Sequence, residues 1–186
     1  VLNATLINSF LVRYLDFNDS YLAKYETCHP SDNLASVLAA CECTGRSGRD
    51  LITALAVAYQ VHCRLSDEAP VRAAGFDHTT QGSFAAAAGI SKALGLSRDQ
   101  TVHALAISGT AFNALRVTRT EQLSHWKGLA YPNTGACCLR TALLAREFVW
   151  GTEFPMPIAM IDRTGSQAVV LHYLRDELGS VVALTD

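Results

Sequence analysis

Two serine-led tetrapeptides constrain this chain more than any other feature. Ser97-Arg-Asp-Gln100 has capping-box spacing: the serine hydroxyl accepts from the backbone N–H three residues on, and the glutamine side chain reaches back. Ser47-Gly-Arg-Asp50 repeats the layout with Asp in place of the usual Glu. Each box follows a glycine, Gly45 and Gly95, of the kind that ends a helix. A helix therefore stops and another starts at both places. Between the stops the chain is rich in Ala and Leu, which lose little freedom in a helix.

Helices are expected over Leu2 to Leu15, over Asn33 to Cys43 with Asp32 as N-cap, and over Leu51 to Leu65. More follow over Gln81 to Leu94, from Ser97 to near Gly109, and over Thr134 to Phe148. Leu51 to Leu65 is apolar almost all round, which predicts burial on every side. The small residues Gly135, Ala136, Cys137 and Cys138 suit close approach of a neighbour or ligand. Strand signals gather only after residue 154. Phe154-Pro-Met-Pro-Ile carries two prolines, Gln167 to Leu174 reads as strand or short helix, and Ser180 to Thr185 reads as strand. The fold expected is an all-α helical bundle over 1–150, followed by a tail, 151–186, that is divergent or begins a small α+β domain.

A chain of 186 residues buries one good core. With 49% hydrophobic and 17% charged residues it is too apolar for disorder. A net charge of −2 gives no general affinity for nucleic acid or an anionic membrane, so an anionic ligand needs a local cluster of cations. No run is long and apolar enough to span a bilayer. The chain opens inside helix-like sequence with no initiator Met and no signal-peptide layout, which reads as an interior piece of a longer polypeptide. The six cysteines lack C-x-x-C pairs: Cys41-Glu-Cys43 and Cys137-Cys138 have the wrong spacing for zinc. Most sit among Ala and Leu and are expected to be reduced, structural and cytosol-like; the alternative is an iron–sulfur or zinc site.

Four polar islands interrupt the apolar pattern. The first, Asp16-Phe-Asn-Asp19-Ser20 to His29, packs three acid/base candidates and a hydroxyl between two helix-like stretches. Ionisable groups at such a junction cost free energy unless paired or used, although Asp, Asn and Ser also favour ordinary loops and caps. The second, Gly75 to Gly82, places His78 just before an Ala-rich helix, where free N–H groups attract anions or a plain cap suffices. The third holds Arg116 and Arg119, a carboxylate fork or a solvated patch. The fourth, Ser124-His-Trp-Lys127-Gly, offers an ammonium beside a glycine, or a lysine that simply reaches water. Together they suit binding a small polyanion and moving a proton beside a carboxylate. There is no phosphate-binding glycine loop followed by Lys-Ser/Thr and no G-x-S-x-G elbow.

Leu15-Asp-Phe-Asn-Asp-Ser-Tyr-Leu-Ala-Lys and His29-Pro-Ser-Asp-Asn33 resemble the signature of the MmgE/PrpD family, in wording nearest its 2-methylcitrate dehydratase branch. Gly75-Phe-Asp-His-Thr-Thr, Lys92-Ala-Leu-Gly-Leu-Ser, Leu115-Arg-Val-Thr-Arg, His125-Trp-Lys-Gly-Leu-Ala and Ala142-Leu-Leu-Ala follow in family order, so the resemblance covers about 1–148. It implies a large helical domain, a smaller α+β lid, a homodimer, and metal-free, cofactor-free chemistry on di- and tricarboxylates. By the same resemblance Asp16, His29 and Lys127 are catalytic, and Ser20, where the family often has Thr, binds substrate together with His78, Arg116 and Arg119. The chain departs from the family in lacking the segments before Val1, and in Arg146-Glu-Phe-Val-Trp-Gly-Thr-Glu-Phe-Pro, a loose version of the turn expected after Ala145. The lid's lysine and histidine have no match.

The reaction expected is elimination of water from 2-methylcitrate in propionate catabolism, by a hydro-lyase in the cytoplasm, or in the mitochondrial matrix if the source is eukaryotic. The alternatives are cis-aconitate decarboxylation, dicarboxylate epimerisation, and a catalytically incomplete helical fragment that only dimerises or binds a partner. Which of Asp16 and His29 is the base stays open.

Overall fold

The computed structural model describes residues 1–150 and the strands at 157–162, 169–175 and 181–185, with side chains through residue 146. The chain divides into two compact units, Val1–Ala142 and Leu143–Asp186.

In the first unit helix α1 (Leu2–Tyr14) leads into a two-residue hairpin, β1 (Tyr21–Leu22) with β2 (Thr27–Cys28), and a 3-10 turn at Pro30–Asn33. Helices α2 (Leu34–Cys43), α3 (Gly48–Glu68), α4 (Thr79–Leu94) and α5 (Arg98–Ala111) follow, then a 3-10 turn at Arg116–Arg119 and helix α6 (Trp126–Glu147), whose residues from Leu143 on belong to the second unit. Both capping boxes form: Ser47 Oγ accepts from the Asp50 N–H and Ser97 Oγ from the Gln100 N–H, each with the reciprocal bond. Gly45 and Gly95 sit at φ 60° and 70°, the left-handed region that only glycine enters freely.

The core centres on α4. Its middle, Ala85 to Ala88 and Ile90, is buried. At Gly89 an added Cβ would lie 2.9 Å from both Ala58 Cβ and Val37 Cγ2, so α2, α3 and α4 meet at a distance that only hydrogen permits. Gly135 also brings α6 close to α2, though less tightly: a Cβ built there would lie 3.4 Å from Ser36 Cβ, an ordinary contact.

The expectations need correction in three places. Asp32 does not cap α2. The chain turns through a 3-10 helix first, and Asp32 is buried with its carboxylate among cations. Helix α3 is not buried all round: Ala54, Ala58, His62 and Ser66 form one buried stripe while Ile52 is exposed. Spacing of four residues selects one face, and small side chains there suit packing on α4. Helix α6 starts at Trp126, well before Thr134, and runs through Pro132. Helix α5 ends at Ala111, near Gly109 as expected.

The second unit contains an antiparallel sheet of β3 (Phe148–Trp150), β4 (Pro157–Asp162), β5 (Val169–Arg175) and β6 (Val181–Thr185), paired in chain order. Gln167 to Leu174 is thus strand from Val169. The turn expected after Ala145 and the start of Phe154-Pro-Met-Pro-Ile fall on 151–156, outside the described residues.

Candidate active site

The site forms where α1 ends. Asp16, the second residue past the helix, adopts φ 57°, a left-handed conformation that costs a residue with a Cβ free energy. Its N–H is held by the Arg13 carbonyl at 3.0 Å. This turn aims the carboxylate at two cations: Arg13 Nη2 lies 3.1 Å from Oδ1 and Lys127 Nζ 3.0 Å from Oδ2. The Lys127 bond above all, with Arg13 beside it, holds the Asp16 carboxyl below the usual carboxylate range against its partial burial. A cleft of about 100 Å3 lined by Arg13, Tyr14, Asp16, Lys127 and Gly128 opens beside the pair.

Behind this rim lies a chain of buried charges. Arg13 Nη1 is 3.5 Å from Asp32 Oδ2, and Asn18 donates to Asp32 Oδ1 at 3.2 Å. His78 Nε2 lies 3.7 Å from Asp32 Oδ2, and His78 Nδ1 3.0 Å from Asp77 Oδ1. Asp77 pairs on its other oxygen with Arg119. Burial alone would lower the His78 pKa, but the carboxylates of Asp32 and Asp77 outweigh it and raise it. Burial likewise opposes ionisation of Asp77, yet His78 and Arg119 hold its carboxyl well below the ordinary range. Buried ion pairs seldom add stability over apolar packing, so such a run of charges argues for use.

His29 stands at the edge of this chain. Its ring centroid is 5.3 Å from that of His78, edge to face. Its Nδ1 is 2.8 Å from the Asp19 carbonyl oxygen and 3.5 Å from Ser20 Oγ. Burial pushes its pKa down, against the bond to the Asp19 carbonyl. The Asp19 carboxylate accepts from the Ser31 N–H at 3.0 Å, which shapes the hairpin. Under His78 stacks Tyr131, centroids 6.3 Å apart, and beyond it His62 at 6.0 Å. Tyr131 donates to Asn33 Oδ1 at 2.8 Å, while the Asn33 amide lies 3.3 Å from His62 Nδ1.

Asp16, Ser20, His29, His78, Arg119 and Lys127 therefore gather around one region. Arg119 is no solvated patch, because its side chain is 8% exposed against Asp77. Arg116 differs: no carboxylate among the described residues pairs with it, and only its backbone N–H is tied, to the Gly75 carbonyl. A larger cavity, about 390 Å3, lies at the far end of α4 against Arg46, Asp50 and Lys92. None of the candidate residues lines it.

The family model for the MmgE/PrpD N-terminal domain matches residues 1–156. The chain belongs to the MmgE/PrpD family. It is 31% identical over 147 residues to 2-methylcitrate dehydratase of Cupriavidus necator, covering 73% of this chain and 30% of that protein. It is 32% identical over 139 residues to a probable 2-methylcitrate dehydratase of Saccharomyces cerevisiae, covering 68% and 25%. Against 2-methylcitrate dehydratase of Escherichia coli K12 it is 28% identical over 147 residues, covering 73% and 30%. The chain thus spans about 30% or less of the length of these relatives.

In this MmgE/PrpD domain several members of the cluster were not legible from motif reading. Arg13 hides as one basic residue in an apolar helix, and the available signal was its position three before Asp16. Asp77 stands directly before His78, which marks a possible carboxylate–histidine pair. Asn33, His62 and Tyr131 lie 29 and 98 residues apart along the chain as they hydrogen-bond, and no local pattern joins them. Of the cysteines, Cys28, Cys41 and Cys138 are buried and Cys43 is exposed, and all six are free thiols. No described group of His, Cys, Asp and Glu has metal-holding geometry, and no described helix is long and apolar enough to cross a membrane.

Proposed function

We propose that this chain is the substrate-binding helical unit of a hydro-lyase that eliminates water from a small tricarboxylate, with 2-methylcitrate as the first candidate. The observation that carries the reading is the convergence of Lys127, Arg13 and Asp16 at the rim with His29 and His78 behind it. The names of the relatives support the substrate class.

Elimination begins with loss of a proton beside a carboxylate, and the enolate-like charge that builds needs cations already in place. Lys127 would hold a substrate carboxylate, exchanging its contact with Asp16 for one to the ligand. Arg116, with no carboxylate partner among the described residues, would supply a second clamp. Ser20 would orient a substrate hydroxyl, with His29 in reach of the reacting carbon. Arg119 acts through Asp77 and not on substrate. The family likeness extends the reading to metal-independent turnover, a homodimer and a role in propionate catabolism.

The alternative reading is a helical unit that binds carboxylates or dimerises without turnover. Calorimetric titration with 2-methylcitrate, citrate and cis-aconitate, followed by NMR of the mixtures, separates the readings. Binding with appearance of an alkene and water loss supports the dehydratase. Carbon dioxide release or epimer formation identifies the other family reactions. Binding without change leaves the non-catalytic unit, and absence of all binding overturns the carboxylate site.

A further inference from the structure

The ring centroids of His29 and His78 lie 5.3 Å apart, and the groups that face their nitrogens favour opposite protonation. A backbone carbonyl can only accept, so the 2.8 Å contact to the Asp19 carbonyl puts a proton on His29 Nδ1. The lone pair of the neutral ring is then on Nε2. His78 faces a carboxylate from each nitrogen, Asp77 at 3.0 Å from Nδ1 and Asp32 at 3.7 Å from Nε2. A carboxylate paired with a cation also only accepts, and Arg119 pairs with Asp77 and Arg13 with Asp32. The two carboxylates thus favour a proton on each nitrogen of His78.

We propose that Asp77 and Asp32 are positioning residues that hold His78 as an imidazolium acid opposite His29 as a neutral base. This rests on the dehydratase reading and assigns the two proton-transfer roles within it. The two carboxylates are not equivalent. Asp77 makes a true hydrogen bond and fixes the ring through Nδ1. The contact to Asp32 is too long for one, and His78 Nε2 has no hydrogen-bond partner. That proton has no acceptor among the described residues, and because Nε2 is buried it can pass only to a substrate oxygen that enters the cluster. Arg13 and the His78 cation both disfavour a second proton on His29. The other groups facing His78 are His62 on α3 and Tyr131 on α6, and neither carries charge at neutral pH: burial holds His62 down to about 3 and Tyr131 far above its ordinary value.

In the elimination His29 Nε2 takes the C–H proton, and that bond's electron pair becomes the second bond of the alkene. The C–O bond breaks with its pair on oxygen, which takes the Nε2 proton of His78 and leaves as water. His29 ends as the cation and His78 neutral. One proton lost from His29 to solvent and one regained by His78 restores the start.

The test is the protonation state itself, read by long-range proton–nitrogen NMR of the 15N-histidine-labelled chain, with peaks assigned from His29→Gln and His78→Gln. At neutral pH the wild type should show His78 with two protonated nitrogens and His29 with Nδ1 alone protonated. Asp77→Asn should lower the His78 pKa by about 1–3 units, and Asp32→Asn in the same direction. Unchanged His62 signals report that each variant is folded. If Asp77→Asn does not fold, the wild-type spectrum and Asp32→Asn decide. A neutral His78 in the wild type, or a pKa unmoved in folded variants, overturns the proposal. If 2-methylcitrate fails to bind while the imidazolium signature is intact, the dehydratase reading falls and the histidine arrangement stands.

Discussion

Lys127 Nζ lies 3.0 Å from Asp16 Oδ2, joining residues 111 positions apart in the chain. One partner sits on the first turn of α6 and the other just past the end of α1. Both are substantially exposed, 40% and 46%, so as a surface ion pair the contact contributes roughly 1 kcal/mol at most. Holding Asp16 at φ 57° costs a similar amount. The turn therefore gains little from the pair, and its geometry is better explained by aiming a carboxylate than by stability.

Backbone strain at Asp16 can be measured by comparing two variants that both remove the carboxylate. Asp16→Gly should be more stable than Asp16→Ala by about 1 kcal/mol, because only glycine enters the left-handed region freely. Urea unfolding of the pair isolates the term, since both lose the same ion pairs. Equal stabilities would mean that the segment relaxes out of its left-handed turn once the carboxylate is gone.

Gly82 controls where Tyr131 stands. A Cβ built there collides with the Tyr131 ring, whose hydroxyl is pinned to Asn33. Neither group can step aside, so Gly82→Ala should cost about 1–3 kcal/mol, the range for overpacking. Tyr131→Phe tests the other half. It strands the buried Asn33 oxygen and should cost about 1–3 kcal/mol. Thermal unfolding of both variants checks this, and a Gly82→Ala protein as stable as wild type would place Tyr131 differently.

How much of this was legible in the sequence follows from the range of the forces. Capping boxes at Ser47 and Ser97 act over three residues, and both read correctly. The motif residues Asp16, Ser20, His29, His78 and Lys127 stand out in the sequence because each sits in a polar island. Asp32 was misread as a cap because its partners, Arg13 and His78, are 19 and 46 positions away and leave no local trace. Arg119 and Arg116 looked alike, yet only Arg119 finds a buried carboxylate, and the 3-10 turn that separates their directions is set by tertiary contact. The start of α6 was missed because Pro132 reads as a helix breaker.

His62 should make the domain acid-sensitive. It is fully buried, and desolvation holds its pKa down to about 3 against an ordinary 6.5. Between those values the unfolded chain binds a proton that the folded one refuses. Stability is thus fully present above pH 6.5 and is lost as pH falls toward 3, with a limiting slope of about 1.4 kcal/mol per pH unit. His78 works the other way, stabilising at low pH and losing that contribution as pH rises through its raised value. His62→Gln should flatten the acid limb in urea titrations at a series of pH values. An unchanged limb would assign the acid sensitivity to the carboxylates instead.

His29 is the residue on which turnover should depend most for the least structural cost. It is half-buried, and its one strong hydrogen bond is to a carbonyl at an exposed turn that water can satisfy. Removing a general base typically costs about 10²–10⁴ in rate. His29→Ala should therefore lose at least 100-fold or so in kcat on 2-methylcitrate, with a near wild-type melting temperature. Its depressed pKa has a further consequence. A base must be neutral, so kcat/KM should rise with pH along an acid limb centred below the ordinary histidine value. The protonated His78 should set the alkaline limb, where activity falls as pH rises through its raised pKa. A His29→Ala protein with undiminished turnover, or a profile whose acid limb is centred above 6.5, would remove His29 from the base role.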